Sequence, residues 1–308
     1  MTSKVRYLFY GIIVFLVISI AVVFGLRPQA VNLVYMTDAK YLPYMMVSLN
    51  SAIKNKSAES KYHIHVIGKD LDEEDISSLK TMETQNVSID VYRSREYDLD
   101  YKHLGRFESF KVSLQKIFIA DYLPYLNKVL YLDADTLVQE DLSEIYDINI
   151  SDKYAAAVRD GLMYQFPEHI KEINLTDRDF YFNSGVMLLN LDKIRRDDII
   201  QRAVIYFNTH NEVFGDQDVL NMVFGKEVES LSYKYNCNSV FFEEKDADFL
   251  SNFFKESVPQ TPREVYDQAV ILHFAGHKPW TPRFTHSYLK PLWYSYTKEI
   301  PIKYQQML

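Results

Sequence analysis

Two carboxylates separated by one residue can hold a hard cation, and this 308-residue sequence spells that pattern six times. The pairs are Asp70/Asp72, Asp98/Asp100, Asp133/Asp135, Asp177/Asp179, Asp216/Asp218 and Asp246/Asp248. Six copies mean that the spelling alone decides nothing, and most of them are expected to be solvated charges or helix caps. Only Asp133/Asp135 directly follows an apolar run, Val129-Leu-Tyr-Leu132. Residues i and i+2 of a strand point the same way, so these two carboxylates are expected to converge at a strand's carboxyl end. Their oxygens suit Mg²⁺ or Mn²⁺, and a cation there could bridge a diphosphate.

An apolar strand running into such a pair serves two chemistries. In phosphohydrolases of the HAD-like kind the first Asp is a nucleophile and the motif continues Asp-x-Asp-x-Thr. In sugar transfer both carboxylates act through the metal. Here Leu137 stands where the hydrolase pattern has Thr or Val, and the strand follows about 100 residues of α/β sequence instead of opening the domain. Three further segments carry polar groups next to apolar runs. Tyr181 to Leu191 opens on Asn183-Ser184-Gly185, where glycine allows a close backbone approach. Gly215-Asp-Gln-Asp-Val-Leu-Asn221 reads as a loop entering a helix, and Val270 to Trp280 is an apolar strand ending in His273, followed by Gly276 and Lys278. Each also has a plain structural reading: a turn before a core strand, a helix cap, a core histidine.

The elements that must position these groups alternate between strand and helix. Asn32–Met36 reads as a buried strand, Tyr41–Lys54 as a helix, Lys61–Gly68 as an alternating strand and Asp72–Met82 as an amphipathic helix capped by Asp72. Val87–Tyr92 is the next strand, Phe107–Leu123 a long helix ended near Pro124, and Val129–Leu132 a short apolar strand. That alternation predicts an α/β fold with a mainly parallel sheet, in which ligands bind beyond the carboxyl ends of the strands.

Apolar residues at 47% support a substantial core, and 9 Gly with 10 Pro argue against long low-complexity segments. The net charge of -8 disfavours nucleic acid as a partner. Cys237 is the only cysteine, which excludes an intramolecular disulfide and a thiol or zinc-thiolate site built by this chain alone. Tyr7–Leu26 has no charged residue and would rise about 30 Å as a helix, enough to cross a bilayer. Lys4 and Arg6 precede it, so residues 1–6 are expected in the cytoplasm, 7–26 as a signal-anchor, 27–30 as a short stem and 31–308 as one lumenal catalytic domain. A cleaved signal peptide is the alternative; the run exceeds the usual apolar core of one, about 7–15 residues. Sequons at Asn55, Asn86, Asn149 and Asn174 agree with a lumenal, glycosylated domain in the endoplasmic reticulum or Golgi. The C-terminal stretch Tyr288–Tyr304 is expected to pack back on the domain, with the membrane surface as the alternative.

The ordered set NLVYMTD (32–38), NKVLYLDADTLV (127–138), FNSGVMLLNL (182–191), GDQDVLN (215–221) and HFAGHKPW (273–280) resembles the family 8 glycosyltransferases. That group contains bacterial lipooligosaccharide galactosyltransferases, glycogenin and animal xylosyltransferases. The resemblance implies a GT-A fold, a UDP-sugar donor, usually Mn²⁺, a glycan acceptor on protein or lipid, and retention of anomeric configuration. By position it makes Asp133, Asp135 and His273 metal ligands, with Asp38 and Ala134 as nucleoside contacts and Gly276 and Lys278 as diphosphate contacts. Asp160, Asn183, Asp216 and Gln217 would line the sugar pocket, Gln217 being the family-aligned candidate nucleophile and Asp160 and Asp216 orienting sugar hydroxyls. Two positions depart from the family. Lys116 stands seventeen residues before Asp133 where the family has Arg near the donor, and Gly276-His277-Lys278 is one residue shorter than Gly-x-x-Lys. A catalytically silent, membrane-tethered binding protein and a self-glycosylating scaffold are the competing functions, and a homodimer is a further expectation.

Overall fold

Val31–Asp38 (β1) sends alternate side chains into two separate cores, as a central parallel strand must. Leu33 and Tyr35 enter one core, Val34 and Met36 the other. The computed structural model describes residues 30–101, 111–161, 167–173, 181–210, 215–238 and 246–308. Tyr7–Leu26, Asn174 and the first part of the expected helix from Phe107 lie outside the described residues. Among the described residues no helix is long and apolar enough to cross a membrane.

Helix α1 (Leu42–Lys54) starts with Pro43 in its first turn, where a missing N–H costs nothing, and buries Met45, Met46 and Leu49 against β1. Tyr62–Lys69 (β2) and Val87–Arg93 (β3) follow on either side of α2 (Glu73–Lys80). Asp72 caps α2 in a reciprocal box with Asp75, as its sequence predicts. Then come β4 (Lys128–Leu132), β5 (Thr136–Val138), β6 (Ala155–Arg159), β7 (Phe182–Asn190), β8 (Val228–Ser230), β9 (Cys237–Asn238) and β10 (Ile271–His273).

The main sheet has the order β3-β2-β1-β4-β7-β6-β8. All neighbours run parallel except β7, which is antiparallel to both β4 and β6. This inversion was not legible in the sequence, and it matters: the amino end of β7 lies beside the carboxyl end of β4. A second, small sheet joins β5, β10 and β9, with β10 antiparallel to β5.

Two expectations need correction. The long helix to Leu123 is, over its described part, a 3₁₀ segment Ser113–Phe118 followed by one α-turn, Ile119–Tyr122. Its tight winding accompanies burial of Leu114, Lys116, Ile117 and Phe118 on more than one side, which a single amphipathic stripe would not allow. The Asn55 sequon is not presented for modification, because its amide donates to Ser51 O, Val138 O and Tyr296 Oη at 3.1, 2.9 and 2.8 Å. The C-terminal stretch does pack back: Trp293 and Tyr304 are buried in the first core.

Candidate active site

Strand β4 ends at Leu132, and the chain turns at once. Thr136 closes the turn by donating both its N–H and its hydroxyl to Asp133 O, at 3.2 and 2.9 Å. Asp133 and Asp135 therefore sit in a turn between two sheets, and their convergence is not the strand alternation that the sequence suggested. The Asp133 N–H continues the ladder to Gly185 O at 2.7 Å, pinning the turn to the start of β7. Beyond the turn, β5 enters the small sheet with Thr136 opposite His273, and the Phe274 N–H donates to Asp135 O at 3.0 Å. His273 Nε2 consequently lies 3.3 Å from Asp135 Oδ1 and 3.8 Å from Asp133 Oδ2. One ligand atom from each of Asp133, Asp135 and His273 falls within 4.8 Å of the others, a set that can hold one divalent cation. Gly185 allows this approach: a Cβ there would overlap His273 Cε1 and crowd Asp133 Oδ2 to 2.8 Å.

The histidine's tautomer follows from a chain of fixed donors. The Gly185 N–H donates to Asn183 Oδ1 at 2.9 Å, so Asn183 offers its amide nitrogen to Asp160 Oδ2 at 3.1 Å. Asn236 Nδ2 donates to the same Asn183 Oδ1 at 2.9 Å, which leaves Asn236 Oδ1 as an acceptor. His273 Nδ1 stands 2.8 Å from that oxygen and must carry a proton to bond it. Nε2 then presents a lone pair toward the two aspartates, the orientation a metal-ligating imidazole needs.

Charge around the trio is only partly balanced. Lys116 is buried, 3.0 Å from Asp133 Oδ1 and 2.9 Å from Asp216 Oδ2. Burial works against its charged form, but the two carboxylates outweigh burial and raise its pKa above the ordinary lysine value. Lys278 contacts Asp135 Oδ2 and donates to Phe274 O at 2.7 Å. For Asp135 burial favours protonation, yet the Lys278 ammonium beside it holds its carboxyl well below the usual range. Tyr131 donates to Asp133 Oδ1 at 2.6 Å, and burial, with Asp133 adding, pushes its phenol up. With Asp160, four carboxylates face two ammonium groups, a residual double negative charge that matches one divalent cation.

A cleft of about 320 Å³ opens over this cluster, lined by Asp38, Tyr41, Asp133, Ala134, Asp135 and Lys278. It shares Met36, Thr37 and Val112 with a neighbouring hollow of about 340 Å³ beyond the ends of β2 and β3. Asp38 and Ala134 thus line the cleft beside the two aspartates, and Lys278 reaches the cluster despite its shortened loop. Gly276 does not line the cleft; the loop turns outward there and leaves it exposed. Lys116 does not line the cleft either, because its ammonium is taken up by Asp133 and Asp216. Helix α3 (Gly215–Phe224) delivers Asp216 and Gln217. Gln217 donates to Asp160 Oδ2 at 2.7 Å and accepts from the Ser184 N–H at 3.1 Å, while the Ser184 hydroxyl donates to Asp216 at 2.7 Å. Asp218 is neither a solvated charge nor a cap: it is fully buried and accepts from Tyr181 Oη at 2.6 Å.

Sequence reasoning missed Asn236, Ser184 and Tyr131 as members of this site. Tyr131 sits two residues before Asp133 and shares its strand face, a signal that could have been read; Asn236 lies in a segment with no motif around it.

Comparison with known proteins yields likenesses of sequence and of fold. Residues 32–283 match the sequence profile of Glycosyl transferase family 8. The chain is 25% identical to General stress protein A of Bacillus subtilis over 88% of this chain and 96% of that protein. It is 27% identical to the lipopolysaccharide 1,2-glucosyltransferase of Escherichia coli over 82% and 74% of the two chains. The solved galactosyltransferase LgtC, in complex with donor and acceptor sugar analogues, superposes with a TM-score of 0.70 at 21% identity, covering 90% of this chain and all of that one.

Proposed function

The chain belongs to glycosyl transferase family 8, with a GT-A fold, and we propose that it transfers a hexose or xylose from a UDP-sugar to a glycan acceptor with retention of configuration. The observation that carries this reading is the Asp133–Asp135–His273 trio, whose ligand atoms lie within 4.8 Å of one another and whose two aspartates line the cleft. Two carboxylates and one imidazole suit Mn²⁺, with Mg²⁺ as the alternative, and the residual negative charge fits either ion. When bound, such a cation supplies Lewis-acid stabilisation of the departing diphosphate.

The chain's own residues divide the remaining work. Asp38, with the backbone of Ala134, holds the nucleoside at the cleft entrance. Lys278 carries the positive charge nearest the diphosphate, and Lys116 pairs with Asp133 and Asp216 and holds them in place. Asp160, Asn183 and Gln217 form one hydrogen-bonded group that orients sugar hydroxyls. Both ends of the Gln217 amide are engaged, which makes it a fixed dipole and a poor attacking group. A front-face route is favoured for that reason. The acceptor hydroxyl forms its bond to the anomeric carbon on the side where the phosphate bond breaks, and its proton passes to the departing phosphate oxygen.

The same reading keeps residues 7–26 as a membrane anchor and residues 31–308 as a catalytic domain facing the lumen of the Golgi or endoplasmic reticulum. It rests on the uncharged run after Lys4 and Arg6. Protease protection of the domain in sealed vesicles tests it. The activity is tested by incubating the solubilised full chain with a panel of UDP-sugars and Mn²⁺. Release of UDP from one donor is expected, and Asp135→Ala should lower it by on the order of 10²–10³-fold. Near-normal metal-dependent turnover in Asp135→Ala would refute the assignment.

A further inference from the structure

A second group of metal-ligating side chains lies toward the amino ends of β2 and β3, away from the cleft at their carboxyl ends. His63 and His65 share one face of β2, and Asp90 pairs directly with His65 across to β3, the edge strand of the sheet. One ligand atom from each of His63, His65 and Asp90 lies within 4.8 Å of the others. The two imidazole rings sit 4.2 Å apart, and His63 Nε2 is 2.7 Å from Asp90 Oδ2.

The tautomer of the buried histidine is set from behind. Tyr146 Oη donates to Lys128 O at 3.0 Å and so accepts from Asn32 Nδ2 at 2.9 Å. Asn32 Oδ1 is then the acceptor for His65 Nε2–H at 3.3 Å. That leaves His65 Nδ1 with a lone pair, 3.2 Å from Tyr92 Oη on the strand that also carries Asp90. A histidine with one nitrogen donating to a fixed oxygen and the other holding a lone pair is arranged as metal-bound histidines are, and only the Tyr92 hydroxyl lies against that lone pair here. Lys80 Nζ, 3.6 Å from Asp90 Oδ1, is a competing cation; it is half-exposed and also donates to Glu83 Oε1 at 3.1 Å and to Ile89 O, partners that can hold it when Asp90 turns to a metal.

We propose that His63, His65 and Asp90 form a second divalent-metal site, selective for Zn²⁺ over the hard cations that suit the cleft. Two imidazoles and one carboxylate are ligands zinc accepts, with a fourth position left for water. Such ligands stand at about 2.0–2.2 Å from zinc and hence roughly 3.4 Å from each other, so the His63–Asp90 pair at 2.7 Å must part slightly to admit the ion. His63 and Asp90 are only partly buried and can make that adjustment. The ion would tie the edge strand β3 to β2, and none of its ligands lines the cleft, so the site is independent of the transfer reaction.

Calorimetric titration of the chelator-treated full chain with Zn²⁺ tests this. The wild type is expected to bind Zn²⁺ at a site that persists in Asp135→Asn and weakens at least tenfold in His63→Ala. UDP release with Mn²⁺ should be unchanged in His63→Ala. Asp90→Asn, which preserves shape at a partly exposed position, should weaken the same site and carries the test if His63→Ala misfolds. Unchanged zinc affinity in the folded variants, or loss of all zinc binding in Asp135→Asn, would overturn the proposal.

Discussion

Asn236 Oδ1 lies 2.8 Å from His273 Nδ1 and decides which nitrogen of that imidazole faces Asp133 and Asp135. The asparagine is itself oriented by Asn183, which also bonds Asp160, so the trio and the proposed sugar pocket share one hydrogen-bond network. Asn236→Ala removes the acceptor and frees the ring to rotate or change tautomer. The expected result is an apparent Mn²⁺ affinity about 10–100-fold weaker, with turnover largely recovered at saturating metal. Asn236→Asp keeps an acceptor and should lose less. Metal-dependent UDP release, titrated from micromolar Mn²⁺ upward, separates these outcomes.

Gly185 has no room for a side chain, since His273 and Asp133 both crowd its Cβ position. Gly185→Ala should push these two ligands apart at a cost of about 1–3 kcal/mol in stability. Metal affinity should fall further than the melting temperature suggests. Parallel thermal melts with and without Mn²⁺ measure the difference: the stabilisation by metal seen in the wild type should largely vanish.

Lys116 neutralises two carboxylates from a buried position. Lys116→Met leaves Asp133 and Asp216 without their counter-charge, and the expected loss is about 3–5 kcal/mol of stability. Lys116→Arg keeps the charge and should retain most of it. Urea unfolding of the three proteins provides the comparison; equal midpoints would show that the ion pairs are not needed for stability.

His65 makes stability depend on mild acid. Burial lowers its folded pKa to about 4, whereas the unfolded chain titrates near 6.5. Between these values the unfolded state binds a proton that the folded state refuses, so stability falls as pH drops through that window. The contribution is flat above about 6.5 and below about 4, and the total loss is on the order of 3 kcal/mol. Urea midpoints from pH 7.5 to 3.5 should show this slope in the wild type and a shallower one in His65→Gln.

Much of the fold was legible because local patterns and global needs coincide. Asp72 caps its helix, β1 to β4 appear where apolar runs lie between turn residues, and the ordered motifs point to the family. The Phe107–Leu123 segment misled because apolar spacing does not distinguish an α-helix from a 3₁₀ segment buried on several sides.

The sequence by itself determined the candidate ligand types: two aspartates just past one strand's end and a histidine at another's. Tertiary structure alone decided how they meet. Antiparallel β7 brings Gly185 against Asp133, the turn at 133–136 redirects the chain into a second sheet, and pairing of Thr136 with His273 sets the third ligand beside the other two. Strand direction, sheet membership and the Asn236 hydrogen bond arise from contacts between segments distant along the chain, and no local periodicity encodes such contacts.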